Sequence, residues 1–256
     1  MDLQLTNRVA FVAGSSKGIG RAIALALLQE GCRVCVTGRD SAMLEAAVQD
    51  LRAKFGEKIV GIPGDLTDPA VIEAAFIRVN KMWGGLDILI ASLGSGKGKP
   101  GWQQEEQEWE RLFNMNFFAS VRLAQAVIPY LQSHGGNILF VGSIVGLEAT
   151  SAPLPYSAAK AALVNYSKNL SRAVAQHRIR VNCLAPGNVF FPEGSWERHL
   201  SERKEDVECM IAREVPQQRF GTPQEIAEFA AYLVSPKSQF ATGGCYIMDG
   251  GQTRRI

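Results

Sequence analysis

The sequence predicts one α/β domain over residues 1–256, built on a doubly wound parallel sheet of about seven strands. Three observations carry that expectation. Short apolar runs flanked by glycine alternate with longer segments of helical apolar spacing. The runs are continuously apolar, as in strands covered on both faces. The alternation of the two is unbroken, so right-handed crossovers bring successive strands into parallel pairing. At 256 residues the chain exceeds the usual domain size, yet α/β units of about 200–250 residues commonly form around one sheet. No internal repeat or interdomain linker interrupts it.

The first strand is expected at residues 9–13 (VAFVA) and is followed by helical spacing over 18–29. Residues 33–37 (RVCVT) combine β-branched residues with apolar character and lead into the 41–55 helix. The third strand, 58–62, precedes a helix over 69–83. Residues 86–91 (LDILIA) form the fourth strand, and a long helical pattern covers 105–132. Strands at 137–141 and 180–184 flank a helix over 155–176; a helix over 223–233 and a strand at 245–248 complete the pattern. Two stretches break the rhythm, residues 92–102 (SLGSGKGKPGW) and 186–196 (PGNVFFPEGSW). Both follow strand C-termini, where an open parallel sheet binds its ligands, so they are candidate substrate walls, with residues about 186–215 as a substrate loop or lid.

Composition narrows the function classes. With 46% hydrophobic residues, 20% charged residues and a net charge of +2, the chain offers no basic surface for nucleic acid. No apolar run is long enough to span a bilayer. The five cysteines, Cys32, Cys35, Cys183, Cys209 and Cys245, lack paired zinc spacing and read as free thiols of a cytoplasmic protein. His134, His177 and His199 show no metal-ligand spacing, and no metal is expected.

The first strand runs into Gly14-Ser15-Ser16-Lys17-Gly18-Ile19-Gly20 and then directly into a helix. Glycines there let backbone N–H groups and the positive helix end approach a pyrophosphate closely. Gly14, Ser16, Lys17, Gly18, Ile19 and Gly20 are therefore candidate dinucleotide contacts. After the second strand stands Arg39, whose guanidinium can pair with the 2′-phosphate of NADP, with Lys17 as a second cation. NADP(H) is the expected cofactor over NAD(H). Asp40 could serve the ribose of NAD or cap the helix that follows. Asp65 and Leu66 close the third strand, where Asp65 could meet the adenine amino group or cap a turn. The lysines at 97 and 99 lack the glycine and Ser/Thr spacing of a phosphate loop.

Tyr156 and Lys160 lie four residues apart in a helical segment and so share a face. A phenol titrates near pH 10 when free, and a nearby ammonium together with an oxidised nicotinamide lowers that value, which suits a tyrosine that exchanges a proton with a carbonyl or alcohol oxygen.

From the glycine turn through Tyr156 and Lys160 to Asp249-Gly250-Gly251, the chain resembles a classical short-chain dehydrogenase/reductase. The resemblance implies a Rossmann-type fold and an NADP(H)-dependent oxidoreductase interconverting a ketone and a secondary alcohol. It implies that Ser143 orients the carbonyl, that Asn116 holds a water relaying protons to Lys160, and that Pro186, Gly187 and the backbone of Val189 border the nicotinamide. It also implies a homotetramer assembled through the long helices, with the last strand as a second contact. A non-catalytic NADP(H)-sensing protein on the same fold is the alternative reading. Enoyl reduction in this family goes with wider Tyr–Lys spacing.

Three positions depart from the family pattern. Ala13 stands where threonine is usual, Ala91-Ser92-Leu93-Gly94 replaces Asn-Asn-Ala-Gly, and Phe191 takes the place of a threonine that meets the carboxamide. Phe190, Phe191 and Trp196 are expected either to form an apolar lid or to pack into a neighbouring subunit.

Overall fold

The computed structural model describes residues 1–99 and 101–254. Pro100 of the 92–102 loop, and residues 255–256 of the expected 1–256 domain, lie outside the described residues. The strands are β1 (Val9–Ala13), β2 (Arg33–Gly38), β3 (Ile59–Pro63), β4 (Ile88–Ala91), β5 (Gly136–Val141), β6 (Ile179–Pro186) and β7 (Cys245–Met248). They form one sheet in the order β3-β2-β1-β4-β5-β6-β7, and every pairing is parallel. The chain fills one side of β1 first and then the other, which opens a crevice at the strand C-termini between β1 and β4.

The helices are α1 (Gly18–Gln29), α2 (Ser41–Phe55), α3 (Pro69–Trp83), α4 (Glu106–Phe113), α5 (Ala119–Leu131), α6 (Leu154–Val174), α7 (Ser195–Glu214) and α8 (Pro223–Val234). Ala10 and Val12 of β1 pack with Ile23 of α1, Leu44 of α2 and Ala230 of α8. Val9, Phe11 and Ala13 point the other way, into a cluster with Phe76 of α3, Leu123 of α5 and Leu163 of α6. Side chains alternate between faces along a strand, so burial of both faces explains the unbroken apolar runs. The Phe11 and Phe76 rings meet edge to face at 4.7 Å between centroids.

Helix starts follow short polar side chains. Asp40 accepts from Met43 N at 3.0 Å and caps α2, the second of its two expected roles. Asp68 caps α3, and Thr222 with Glu225 forms a capping box on α8.

Several boundaries differ from expectation. A 3₁₀ turn at Gly56–Lys58 delays β3 by one residue. Strand β4 starts at Ile88, while the Asp87 carboxylate accepts from Val9 N and Arg8 Nη1, each at 2.8 Å. The expected 105–132 helix is α4 and α5 joined by a π-helical turn at Asn114–Phe118. The expected 155–176 helix begins at Leu154 and ends in a 3₁₀ turn at Ala175–His177. Helix α7 has no counterpart in the sequence reading. It carries only Val207 and Ile211 as buried residues and bends at Arg203, so its apolar signal is weak. Among the described residues no helix is long and apolar enough to cross a membrane.

Candidate active site

The glycine turn leaves β1 through Gly14, whose φ of +69° suits only a residue without a side chain; a Cβ there would stand 2.6 Å from Ser92 O. Buried Ser15 ties the turn down by donating from Oγ to Val12 O at 2.6 Å and accepting from Thr37 N at 2.9 Å. Thr37 Oγ1 in turn accepts from Gly14 N at 3.1 Å. The sequence reading singled out neither Ser15 nor Thr37; Ser15 sits beside Gly14 and Ser16, and Thr37 two residues before Arg39, which it did name. Ser16 lies against Gly38, where a Cβ would meet its side chain at 3.0 Å.

Helix α1 differs from α2, α3 and α8 in having no side-chain cap, and no acidic residue stands in its first turn. Its first N–H groups and positive end are therefore available to an anion. Arg39 is exposed at the end of β2 and makes no ion pair among the described residues. This unpaired guanidinium and the uncapped helix end fit a phosphorylated dinucleotide.

Lys17 faces the segment that follows β6. Its Nζ lies 3.5 Å from the Glu193 carboxylate and donates to the Glu193 carbonyl at 3.4 Å. Phe191 sits over the same turn: a Cβ on Gly18, at φ +59°, would stand 2.7 Å from the Phe191 ring. Phe191 thus packs within its own chain, against the glycine turn. Phe190 and Trp196 gather around Phe220, at 6.0 and 5.3 Å between centroids.

Asp65 Oδ1 accepts from Thr67 N at 3.0 Å and Thr67 Oγ1 at 2.9 Å, closing the turn into α3, while Leu66 is buried beneath. At the other side of the crevice Pro186 ends β6, and Gly187 N donates to Met248 O at 2.9 Å. Asn188 O and Phe190 N bond Gly221 at 2.9 and 3.0 Å, which turns the peptide groups of Val189 away from that ladder.

Ser143 follows β5, and Tyr156 and Lys160 stand on the first turns of α6. The Tyr156 phenol is buried and hydrogen-bonded to Ser143. Burial raises its pKa, and the Ser143 hydrogen bond pulls the other way. The expected lowering by Lys160 is not found: Lys160 Nζ donates to Val141 O at 2.9 Å and Leu93 O at 3.4 Å. Burial brings the Lys160 ammonium down from 10.5 to about 8.

Asn116 is buried inside the π turn. Its Oδ1 accepts from Ser95 N at 3.0 Å, and its Nδ2 donates to Ser95 O at 3.1 Å and Leu112 O at 2.9 Å. A Cβ on Gly94 would meet Asn116 Oδ1 at 2.7 Å and Lys160 Nζ at 3.2 Å, so the two side chains flank one spot. Gly96 lies against the Tyr156 ring, with a Cβ there 3.5 Å away. Residues 94–96 therefore lie against Asn116, Lys160 and Tyr156, and Ser95 is a residue of this cluster that sequence reasoning did not name. Ala13 and Ala91 prove to be register partners on β1 and β4, both fully buried.

A family model described as "Enoyl-(Acyl carrier protein) reductase" matches residues 13–253. The 3-oxoacyl-[acyl-carrier-protein] reductase FabG of Escherichia coli (strain K12) is 34% identical over 250 residues, covering 97% of this chain and 98% of the relative. The enzyme of the same name from Vibrio cholerae serotype O1 is 32% identical over 250 residues, with the same coverage. Among solved structures, L-sorbose reductase from Gluconobacter frateurii, complexed with NADPH and L-sorbose, superposes with a TM-score of 0.94 at 30% identity and covers 100% of both chains. With its parallel seven-stranded sheet and the grouping of Asn116, Ser143, Tyr156 and Lys160 at the strand ends, the chain belongs to the short-chain dehydrogenase/reductase family of oxidoreductase enzymes.

Proposed function

We propose that this enzyme uses NADP(H) to interconvert a ketone and a secondary alcohol, with Tyr156 as general acid and base. The observation that carries the reading is the hydrogen bond between the buried Tyr156 phenol and Ser143 at the C-terminal edge of the sheet. A carbonyl oxygen placed between these hydroxyls receives a hydrogen bond from Ser143 and a proton from Tyr156; in the oxidative direction Tyr156 takes the proton back. When bound, NADPH supplies the hydride. Lys160 serves as the cation beside the phenol once its Nζ turns from the Val141 carbonyl, and Asn116 holds the water that carries protons toward Lys160. Arg39 and Lys17 bind the 2′-phosphate, and the open end of α1 takes the pyrophosphate. Asp65 and Leu66 border the adenine, while Pro186, Gly187 and Val189 border the nicotinamide.

One turn of helix between Tyr156 and Lys160, with Ser143 bonded to the phenol, supports carbonyl reduction over the enoyl reduction named in the family model's description. Residues 1–256 then act as one catalytic domain, with residues 186–215 as the substrate segment. We place it in the cytoplasm as a homotetramer, joined through α5 and α6 and along the outer edge of β7. The test is a panel including a 3-oxoacyl thioester and a keto-sugar, assayed with wild type and Tyr156→Phe. Tyr156→Phe is expected to lower kcat by about 10²–10⁴-fold, the usual weight of a general acid, with NADPH affinity retained. Near-normal turnover in the variant would remove Tyr156 from the mechanism.

A further inference from the structure

Two thiols face each other across the outermost strand pair. Cys183 of β6 and Cys245 of β7 are Cα partners in the parallel register and hydrogen-bond to one another. Residues in register present their side chains to the same face, and neighbouring strands lie about 4.7–4.9 Å apart. That spacing falls inside the Cα separation of about 4.4–6.8 Å that a disulfide spans. Both cysteines are reduced; Cys183 is buried and Cys245 is exposed. Cys183 belongs to the same apolar cluster as Leu163 of α6. Cys245 therefore stands on the α6 face of the sheet, off the backbone edge that β7 offers to a second copy.

Cys183 also reaches the catalytic groups. A Cβ on Gly142 would be 2.8 Å from its Sγ, so the sulfur supports the residue immediately before Ser143. The Lys160 ammonium and the Cys183 sulfur act on each other electrostatically. Drawing the sulfur toward β7 removes the support beneath Gly142 and Ser143 and changes the surroundings of Lys160.

We propose that Cys183 and Cys245 form a reversible disulfide under peroxide and that this bond switches the enzyme off. The exposed Cys245 thiolate attacks one peroxide oxygen; the O–O bond breaks, leaving a sulfenic acid on Cys245 and hydroxide, which takes up a proton to become water. The Cys183 sulfur then attacks the Cys245 sulfur. The S–S bond forms, the S–O bond breaks, and the departing hydroxide leaves as water with the Cys183 proton. Two thiols lose two electrons together, and hydrogen peroxide gains two in becoming two waters. Burial protects Cys183 from direct attack and makes Cys245 the entry point. A bridge across one strand spacing on an exposed edge is of the reducible, regulatory kind.

The proposal relies on the catalytic reading above only for its activity readout. Full-length enzyme is treated with hydrogen peroxide, blocked with N-ethylmaleimide, digested and analysed by mass spectrometry, with turnover and NADPH binding measured on the same samples. A Cys183–Cys245 peptide is expected, with turnover reduced at least tenfold and restored by dithiothreitol. Cys245→Ser should keep its activity through the treatment, whereas Cys209→Ser should behave as wild type. Absence of that peptide when Cys245 or Cys209 is already oxidised overturns the proposal, as does a bridge formed without loss of turnover. The cross-linked peptide is read without any substrate, so its absence is distinct from a failure to find turnover on the carbonyl panel.

Discussion

Replacing Glu193 by glutamine isolates the contact between the substrate segment and the cofactor cradle. Lys17 faces Glu193 at 3.5 Å, with the two side chains 46% and 64% exposed. A pair that open to water is worth about 0.2–1 kcal/mol. Under the proposed role of Lys17 at the 2′-phosphate, NADPH draws it away from this carboxylate, so the pair opposes NADPH binding by that amount. Glu193→Gln then tightens NADPH about 1.5- to 5-fold, since about 1.4 kcal/mol is tenfold. NADH lacks the phosphate and gains little. Glutamine is chosen because Glu193 sits at φ +60° and donates its N–H to Glu197 Oε2 at 2.7 Å, an arrangement that a conservative change leaves alone. Fluorescence titration of both cofactors at low salt and at 0.5 M salt reads the effect, and the gain should shrink at high salt. An equal gain for NADH, or weaker NADPH binding in the variant, would refute the reasoning.

Arg39→Asp should lower NADPH affinity about 10- to 100-fold, the loss of one charge-assisted phosphate contact, and move the kcat/KM ratio toward NADH; stability should barely change because Arg39 is exposed and unpaired. Lys160 titrates at about 8 when folded against 10.5 in its ordinary state, so between those values the unfolded chain holds the extra proton and this group's contribution to stability rises with pH. Denaturant unfolding at pH 7.5 and 10.5 should show wild type gaining on the order of 3 kcal/mol relative to Lys160→Met, and a pH-independent difference would contradict the buried ammonium. Ala91→Asn places an amide in a fully buried site facing Ala13 and should cost about 1–3 kcal/mol by thermal unfolding, whereas a higher Tm would show that the two alanines do not replace a matched polar pair.

What the sequence made legible was what local pattern controls. Strands buried on both faces read as apolar runs, and the glycine turn read as an anion cradle because it joins β1 to α1. Asn116, Ser143, Tyr156 and Lys160 were picked out through spacing and resemblance, and the fold brings them together at the strand ends. Long-range contacts were not: Lys17 and Glu193 are 176 residues apart, and nothing local to either announces the other. Phe191 was visible as a departure, but its place over Gly18 depends on how the segment after β6 folds back. Helix α7 escaped because SWERHLSERKEDVECMIARE is largely solvated and buries only Val207 and Ile211. The effect of burial on the Tyr156 phenol, the larger influence on it here, could not be weighed from spacing.

The π turn at Asn114–Phe118 ties the placement of Asn116 to the core through arithmetic. Each residue advances a helix by about 100°, so the one extra residue in this turn sets the azimuth of everything after it. Leu123, Ala124, Val127 and Leu131 face the sheet only because the insertion is there. Deleting one residue to restore a regular helix would swing that whole stripe toward solvent while pulling Asn116 from the Leu112 and Ser95 carbonyls. The segment therefore cannot change its length: the reading frame of the helix face is locked to the turn that holds Asn116.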